Sequence, residues 1–215
     1  GGNGFYWVTS VYSHKPHIME VRRGQSGTRT SESAPGENYH SSTGELGGLW
    51  RHRGKTPNNL VGIGCSSMGW ATKSGGYIRS KDSFDKQVEF IFQGIKKDEI
   101  IGNFGLAMGG AAGDELDRLD YQLGTPRHAI HLASSTGHDN RYQQVIEDIL
   151  QVKDTQEYGG TANSNVRADM VYFETPHKGA VFSVGSISWC GSLSHNNYKN
   201  NVSQITENVL KKFLS

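Results

Sequence analysis

Asp114 and Glu115 close the run Gly109-Gly-Ala-Ala-Gly-Asp-Glu115. Small residues leading to a pair of carboxylates make a loop that another group can approach closely, with acids at its lip. Either carboxylate there could hold a substrate or orient a water and move its proton. The same two acids could equally be first-turn residues of a helix, where the backbone dipole favours them. A second candidate is the turn Gly1-Gly-Asn-Gly4, which carries Asn3 at its tip. An amide side chain donates and accepts hydrogen bonds but is no nucleophile, so it suits positioning or polarising a carbonyl. The plain alternative is an Asn-Gly turn with no chemistry.

Two further sets are weaker. Cys190 stands five residues before His195, and Cys65 is the other cysteine. Neither lies on a recognisable strand-to-helix elbow, so a thiol nucleophile has little support, and two cysteines make neither a disulfide framework nor a zinc site. Glu32, Glu37 and Glu45 surround His40 in a glycine- and serine-rich stretch. Acids beside a histidine invite a metal reading, but their spacing matches no ligand template. A solvated functional loop is the better reading of 27–48.

The elements that must position these groups follow from periodicity. Residues 180–184 form a short apolar run, the pattern of a strand buried on both faces. Val202, Ile205, Val209 and Phe213 then recur at helical spacing. A strand, a polar loop around Trp189 and Cys190, and a covering helix is how open α/β sheets build crevices. Further strands are expected at 17–23, 60–64 and 129–133, and a hairpin over 166–184. Phe84, Val88, Ile91 and Phe92 predict a helix over 82–92, ended by Gly94. Tyr142, Val145, Ile149 and Val152 predict another over 142–153.

Composition narrows the class. The chain has 215 residues, 28 of them glycine, with a formal net charge of +1 and no Lys/Arg run longer than two, so nucleic acid gains no support as a partner. Mean hydropathy of −0.58 and the absence of any apolar stretch near ~20 residues argue against a membrane span. No signal peptide is visible, and a cytoplasmic protein is the default expectation. The glycosylation sequon Asn201-Val202-Ser203 falls at the start of the last helix and is read as chance. The chain opens on a glycine turn that normally follows a strand. It is therefore read as a piece cut from a longer polypeptide.

Taken together, Gly1-Gly-Asn-Gly-Phe-Tyr-Trp-Val8, Glu20-Val-Arg-Arg-Gly24, Ala34-Pro-Gly-Glu37, the 109–115 run and Ser183-Val-Gly-Ser-Ile-Ser-Trp-Cys-Gly-Ser-Leu-Ser-His195 resemble the carboxyl-terminal part of the N,N-dimethylformamidase large (beta) subunit. The similarity runs essentially end to end. It implies an α/β fold: the carboxyl-terminal portion of a class I glutamine-amidotransferase-like (flavodoxin-like) domain with a β-rich, loop-rich insertion. The expected division of this single partial domain is an elbow-like turn over 1–16, the insertion over 17–80 and an α/β return over 81–215. Asn3 stands where a true amidotransferase carries cysteine, which excludes a thiol mechanism at that turn.

The resemblance further implies hydrolysis of a small formamide to dimethylamine and formate by a mononuclear iron. Its tyrosine and glutamate ligands belong to segments before Gly1, so no metal ligand is expected within this chain. It implies Asn3 as a hydrogen-bond donor near the amide oxygen, Glu115 as the acid facing it, and Phe5, Tyr6 and Trp189 as apolar walls. Expected partners are the rest of the large subunit, a small subunit and a small amide substrate. A catalytically silent scaffold or subunit-interaction module of the same fold is the rival reading.

Overall fold

The computed structural model describes residues 5–23, 37–69, 73–145 and 159–215. Nine strands and three α-helices lie in this order: β1 (Thr9–Tyr12), β2 (Lys15–Val21), α1 (Pro57–Val61), β3 (Gly64–Met68), β4 (Ile78–Arg79), β5 (Glu115–Arg118), β6 (Ile130–Ser135), β7 (Gln143–Gln144), β8 (Ala168–Glu174), β9 (Ala180–Ser183), α2 (Ser188–Ser192) and α3 (Asn201–Leu214). They make a two-stranded ribbon β1-β2, a three-stranded sheet β5-β3-β7 and a four-stranded sheet β4-β6-β8-β9. The architecture is mixed α/β with small sheets. Every strand pairing among the described residues is antiparallel.

The expected hairpin is present as β8 and β9, with Val171 opposite Ser183 and Glu174 opposite Ala180. Its burial is the reverse of the expectation. β8 has hydrogen-bonded neighbours on both edges and is buried from Ala168 to Phe173, whereas β9 is an edge strand and only half-buried. The strand expected at 60–64 is instead the end of α1 followed by β3. Pro57 opens that helix and Gly62, at φ 79°, closes it in the left-handed conformation. β3 and β4, from the 17–80 stretch, pair with β5, β7 and β6 from the 81–215 stretch.

The predicted 82–92 helix is two separate 3-10 turns, Lys81–Phe84 and Glu89–Phe92. Local side-chain bonds interrupt it: Ser83 Oγ donates to the Ser80 carbonyl at 2.7 Å, and Asp85 Oδ1 accepts from the Gln87 amide at 2.8 Å. Val88, Ile91 and Phe92 still face inward in the core, whereas Phe84 is exposed. Of the 142–153 helix, Gln143 and Gln144 are strand β7, paired with Met68 and Ser67. Residues 146–158 lie outside the described residues.

The principal core gathers Tyr77, Leu132, Met170, Trp189 and the α3 stripe Val202, Ile205 and Val209. Phe213, the fourth residue of that stripe, is half-exposed because the last turn runs past the core. A second, smaller cluster holds Tyr6, Trp7, Leu49, Cys65 and Val145.

The start of α3 is fixed by two asparagines. Asn200 caps the helix by accepting from the Ser203 amide at 2.9 Å. Asn201 accepts from the Gly102 amide at 2.9 Å and donates to Glu99 Oε1 at 2.7 Å. The sequon asparagine is thus a buried structural residue.

Candidate functional site

Glu115 opens β5, half-buried, opposite Met68 of β3. The alternative of a helix start is overturned, since the chain enters a strand here. What aims this residue is the backbone before it. Asp114 has φ 58°, left-handed and unusual for a residue other than glycine. Such a conformation costs of order 1–3 kcal/mol and persists only where its surroundings hold it.

The surroundings do so from three sides. The Asp114 amide donates to the Tyr142 hydroxyl at 3.2 Å, and the Asp114 carbonyl accepts from the Gly69 amide at 2.9 Å. One residue earlier, Ser186 Oγ donates to the Gly113 carbonyl at 2.6 Å and accepts from the Gly113 amide at 2.9 Å. The same oxygen accepts from the Ser188 amide at 3.2 Å, which joins the clamp to the start of α2. Gly113 must be glycine: a Cβ there would overlap Ser74 Oγ and come within 2.9 Å of the Tyr142 hydroxyl.

The clamp rests on buried polar groups. Burial pushes the Tyr142 hydroxyl pKa up and the His138 pKa down, so both are held neutral. Their rings lie 4.7 Å apart, and Ser135 Oγ is 3.2 Å from His138 Nε2. Further along β5, Asp117 is buried, and its charge adds to burial and to Asp169 in raising the Tyr77 pKa. Burial also opposes ionisation of Asp169. The His131 hydrogen bond and the Arg167 charge outweigh it and hold that carboxyl below its ordinary range.

The other expected site residues separate. Asn3 lies outside the described residues. Phe5 is exposed and lines a shallow apolar hollow of about 330 Å³ with Trp50, Pro57 and Leu60. Tyr6 is buried in the second cluster, edge-on to Trp7 at 5.2 Å. Trp189 sits in the principal core, edge-on to Tyr77 at 5.9 Å, with its Nε1 donating to Thr206 Oγ1 at 3.2 Å. The structure therefore does not bring Trp189 together with Tyr6.

Cys190 is exposed on α2, Cys65 is buried in β3, and the His195 ring is stacked on Phe104 at 4.3 Å. Glu37 and Glu45 pair with Arg22 and Arg53, His40 meets Ser10 Oγ at 2.5 Å, and Glu32 lies outside the described residues. Among the described residues no group of three or more His, Cys, Asp or Glu could hold a metal ion.

Sequence reasoning missed Tyr142 and Ser186. The small-residue run announced that something packs tightly on it, but nothing in its spacing names the partners, which come from positions 28 and 73 residues away.

Comparisons with known proteins give the family. The family model described as "N,N-dimethylformamidase beta subunit-like, C-terminal" matches residues 1–201, and the chain belongs to that family. It is 46% identical over 212 residues to the N,N-dimethylformamidase beta subunit of Paracoccus aminophilus, covering 99% of this chain and 27% of that protein. It is 42% identical, with the same coverage, to the N,N-dimethylformamidase beta subunit of an Alcaligenes species. The chain thus spans about a quarter of the length of these relatives. Among the described residues no helix is long and apolar enough to cross a membrane.

Proposed function

We propose that this chain forms one part of an amide hydrolase that cleaves N,N-dimethylformamide, or a similar small formamide, to dimethylamine and formate. The single observation that carries this reading is the clamp on Gly113 and Asp114, which holds the Glu115 carboxylate on a fixed strand at the price of a left-handed residue. The relatives are beta subunits by name, which supports further subunits as partners. The mononuclear iron of the proposed enzyme is assigned to ligands on polypeptide outside this chain.

Within this chain, Glu115 carries the proton transfers: it takes a proton as a water attacks the amide carbon and returns one to the departing amine. Asn3 donates a hydrogen bond near the amide oxygen. Phe5, two residues on, belongs to the apolar wall, where packing must supply the selectivity because a dialkyl amide offers few hydrogen bonds. The parallel sheet of an amidotransferase-like domain is then assigned to polypeptide outside this chain, since every strand pairing among the described residues is antiparallel.

Glu115→Gln in the full-length enzyme keeps shape and removes the basic oxygen. Turnover of N,N-dimethylformamide should fall roughly 10²–10⁴-fold with metal content retained. Near-normal turnover would leave the chain as a scaffold.

A further inference from the structure

The break in the expected 82–92 helix builds a second surface. Phe84 ends the first 3-10 turn and Phe92 the second, and both rings meet Arg79, the last residue of β4. The guanidinium carbon lies 4.1 Å from the Phe84 ring centre and 3.9 Å from that of Phe92. A continuous helix would hold residues eight apart about 12 Å from each other along its axis, too far for one guanidinium to reach both rings. Arg79 Nε donates to Ser83 Oγ at 3.0 Å and Nη2 donates to the Ser83 carbonyl at 2.8 Å. Both acceptors are neutral, and Arg79 forms no ion pair among the described residues. Burial pulls the Arg79 pKa down, whereas at Arg22 the bonded Glu20 raises it. A partly desolvated cation without a counter-charge is a cost that a bound anion would relieve.

Arg79 and the two rings belong to a groove of about 730 Å³ whose lining residues all fall within 79–97. Lys86 and Lys97 stand on its walls, exposed, and neither is paired with a carboxylate among the described residues. The Lys97 ammonium lies over the Phe84 ring at 5.0 Å. Glu89 is the only carboxylate among the lining residues. Asp85, on the same stretch, is not among them, and its Oδ1 accepts from the Gln87 amide at 2.8 Å. Three cations against one carboxylate leave two positive charges in excess. The groove is anchored to the core: Arg79 pairs with Ala133 of β6, and Asn208 Nδ2 of α3 donates to the Ile91 and Gln93 carbonyls at 3.1 and 2.9 Å. Groups held in place before a ligand arrives cost little further ordering when it binds.

The charge count selects the anion. A phosphate monoester carries about −1.5 to −2 charges at pH 7 and three strong acceptor oxygens, which matches the excess, whereas a carboxylate brings one charge. The bonds to Ser83 use Nε and Nη2 and leave the Nη1 donors of Arg79 for a ligand. A guanidinium gives phosphate directional donors, and the two ammoniums add point charges that can follow its oxygens. Phe90 and Ile95 add apolar surface for a carbon body, and the volume far exceeds that of a bare phosphate ion. We propose that this groove is a binding site for an organic phosphate monoester, separate from the Glu115 clamp.

The full-length protein is titrated calorimetrically with phenyl phosphate, inorganic phosphate and benzoate, against sodium chloride at matched ionic strength. Saturable binding of phenyl phosphate is expected. It should be tighter than that of inorganic phosphate, which lacks the carbon body, and tighter than that of benzoate, which has the same ring and a single charge. Lys86→Gln combined with Lys97→Gln should weaken it at least about tenfold, as loss of charge-assisted contacts does. Both lysines are exposed, so the urea midpoint of this variant should match the wild type. Arg79→Gln should weaken binding further, and the lysine pair guards against a fold defect at that half-buried position. A response equal to that of chloride, benzoate or inorganic phosphate binding as tightly as phenyl phosphate, or unchanged affinity in the lysine pair would overturn the proposal.

Discussion

The two ends of β5 solve the problem of placing a functional group by opposite means. At Glu115 the work is done by backbone hydrogen bonds and missing side chains: Ser186 and Tyr142 grip Gly113 and Asp114. At Arg118 the work is done by charge, with Asp120 and Asp169 holding guanidiniums in a knotted turn. A hydrogen-bonded clamp is sensitive to a methyl group and indifferent to salt. Charged pairs are tolerant of small changes in shape and, as buried as these, are only weakly screened by salt.

The strongest test of that contrast uses Glu115→Gln, whose roughly 10²–10⁴-fold loss of turnover should leave stability, read by urea unfolding, unchanged within about 0.5 kcal/mol, since the clamp and the Arg118 turn are untouched. A loss of stability as well would show that the two ends are not independent. Next in size is Gly113→Ala. Its Cβ must displace Ser74 and crowd the Tyr142 hydroxyl, so a destabilisation of about 1–3 kcal/mol is expected by urea unfolding, with turnover lowered as well. A wild-type midpoint would mean that the loop relaxes freely.

Tyr142→Phe removes the acceptor of the Asp114 amide together with the hydroxyl's side-chain bond to Ser74. Leaving a half-buried donor unpaired costs about 1–3 kcal/mol at most, and the reading requires kcat to fall while KM stays near its original value. A change in KM alone would make Tyr142 a packing residue.

The smallest effect is in pH. Burial depresses the His138 pKa, so the unfolded chain takes up a proton more readily than the folded one. Stability contributed by neutral His138 should be intact above its ordinary value near 6.5 and decline as pH falls below it. His138→Gln should flatten that part of the melting profile.

How much of this was legible in sequence follows the same division. The α3 stripe, the β8–β9 hairpin and the close-approach character of 109–115 were readable because each is written in contiguous spacing. Strand burial at 180–183 was not, since an apolar run does not say whether a neighbour pairs on one edge or both. The 82–92 turns escaped because Ser83 and Asp85 bond locally and break a helix whose apolar period is otherwise sound. The turn beyond Arg118 leaves no linear trace at all: Asn58 and Gly62 come from one stretch, Asp120 and Thr125 from another, and only the fold joins them.

The asparagine at the head of α3 carries a kinetic consequence. Its side chain receives the Gly102 amide at 2.9 Å, Gly102 in turn receives the Ala111 amide at 2.8 Å, and two residues later begins the clamp on Gly113 and Asp114. These amides form a relay from the last helix to the entry of β5, so none can meet solvent while α3 stays docked. Their hydrogen exchange should proceed as one cooperative unit, slow and shared, rather than at the separate rates of a surface loop. The lifetime of the loop that aims Glu115 is then the lifetime of a helix docked on the other side of the core.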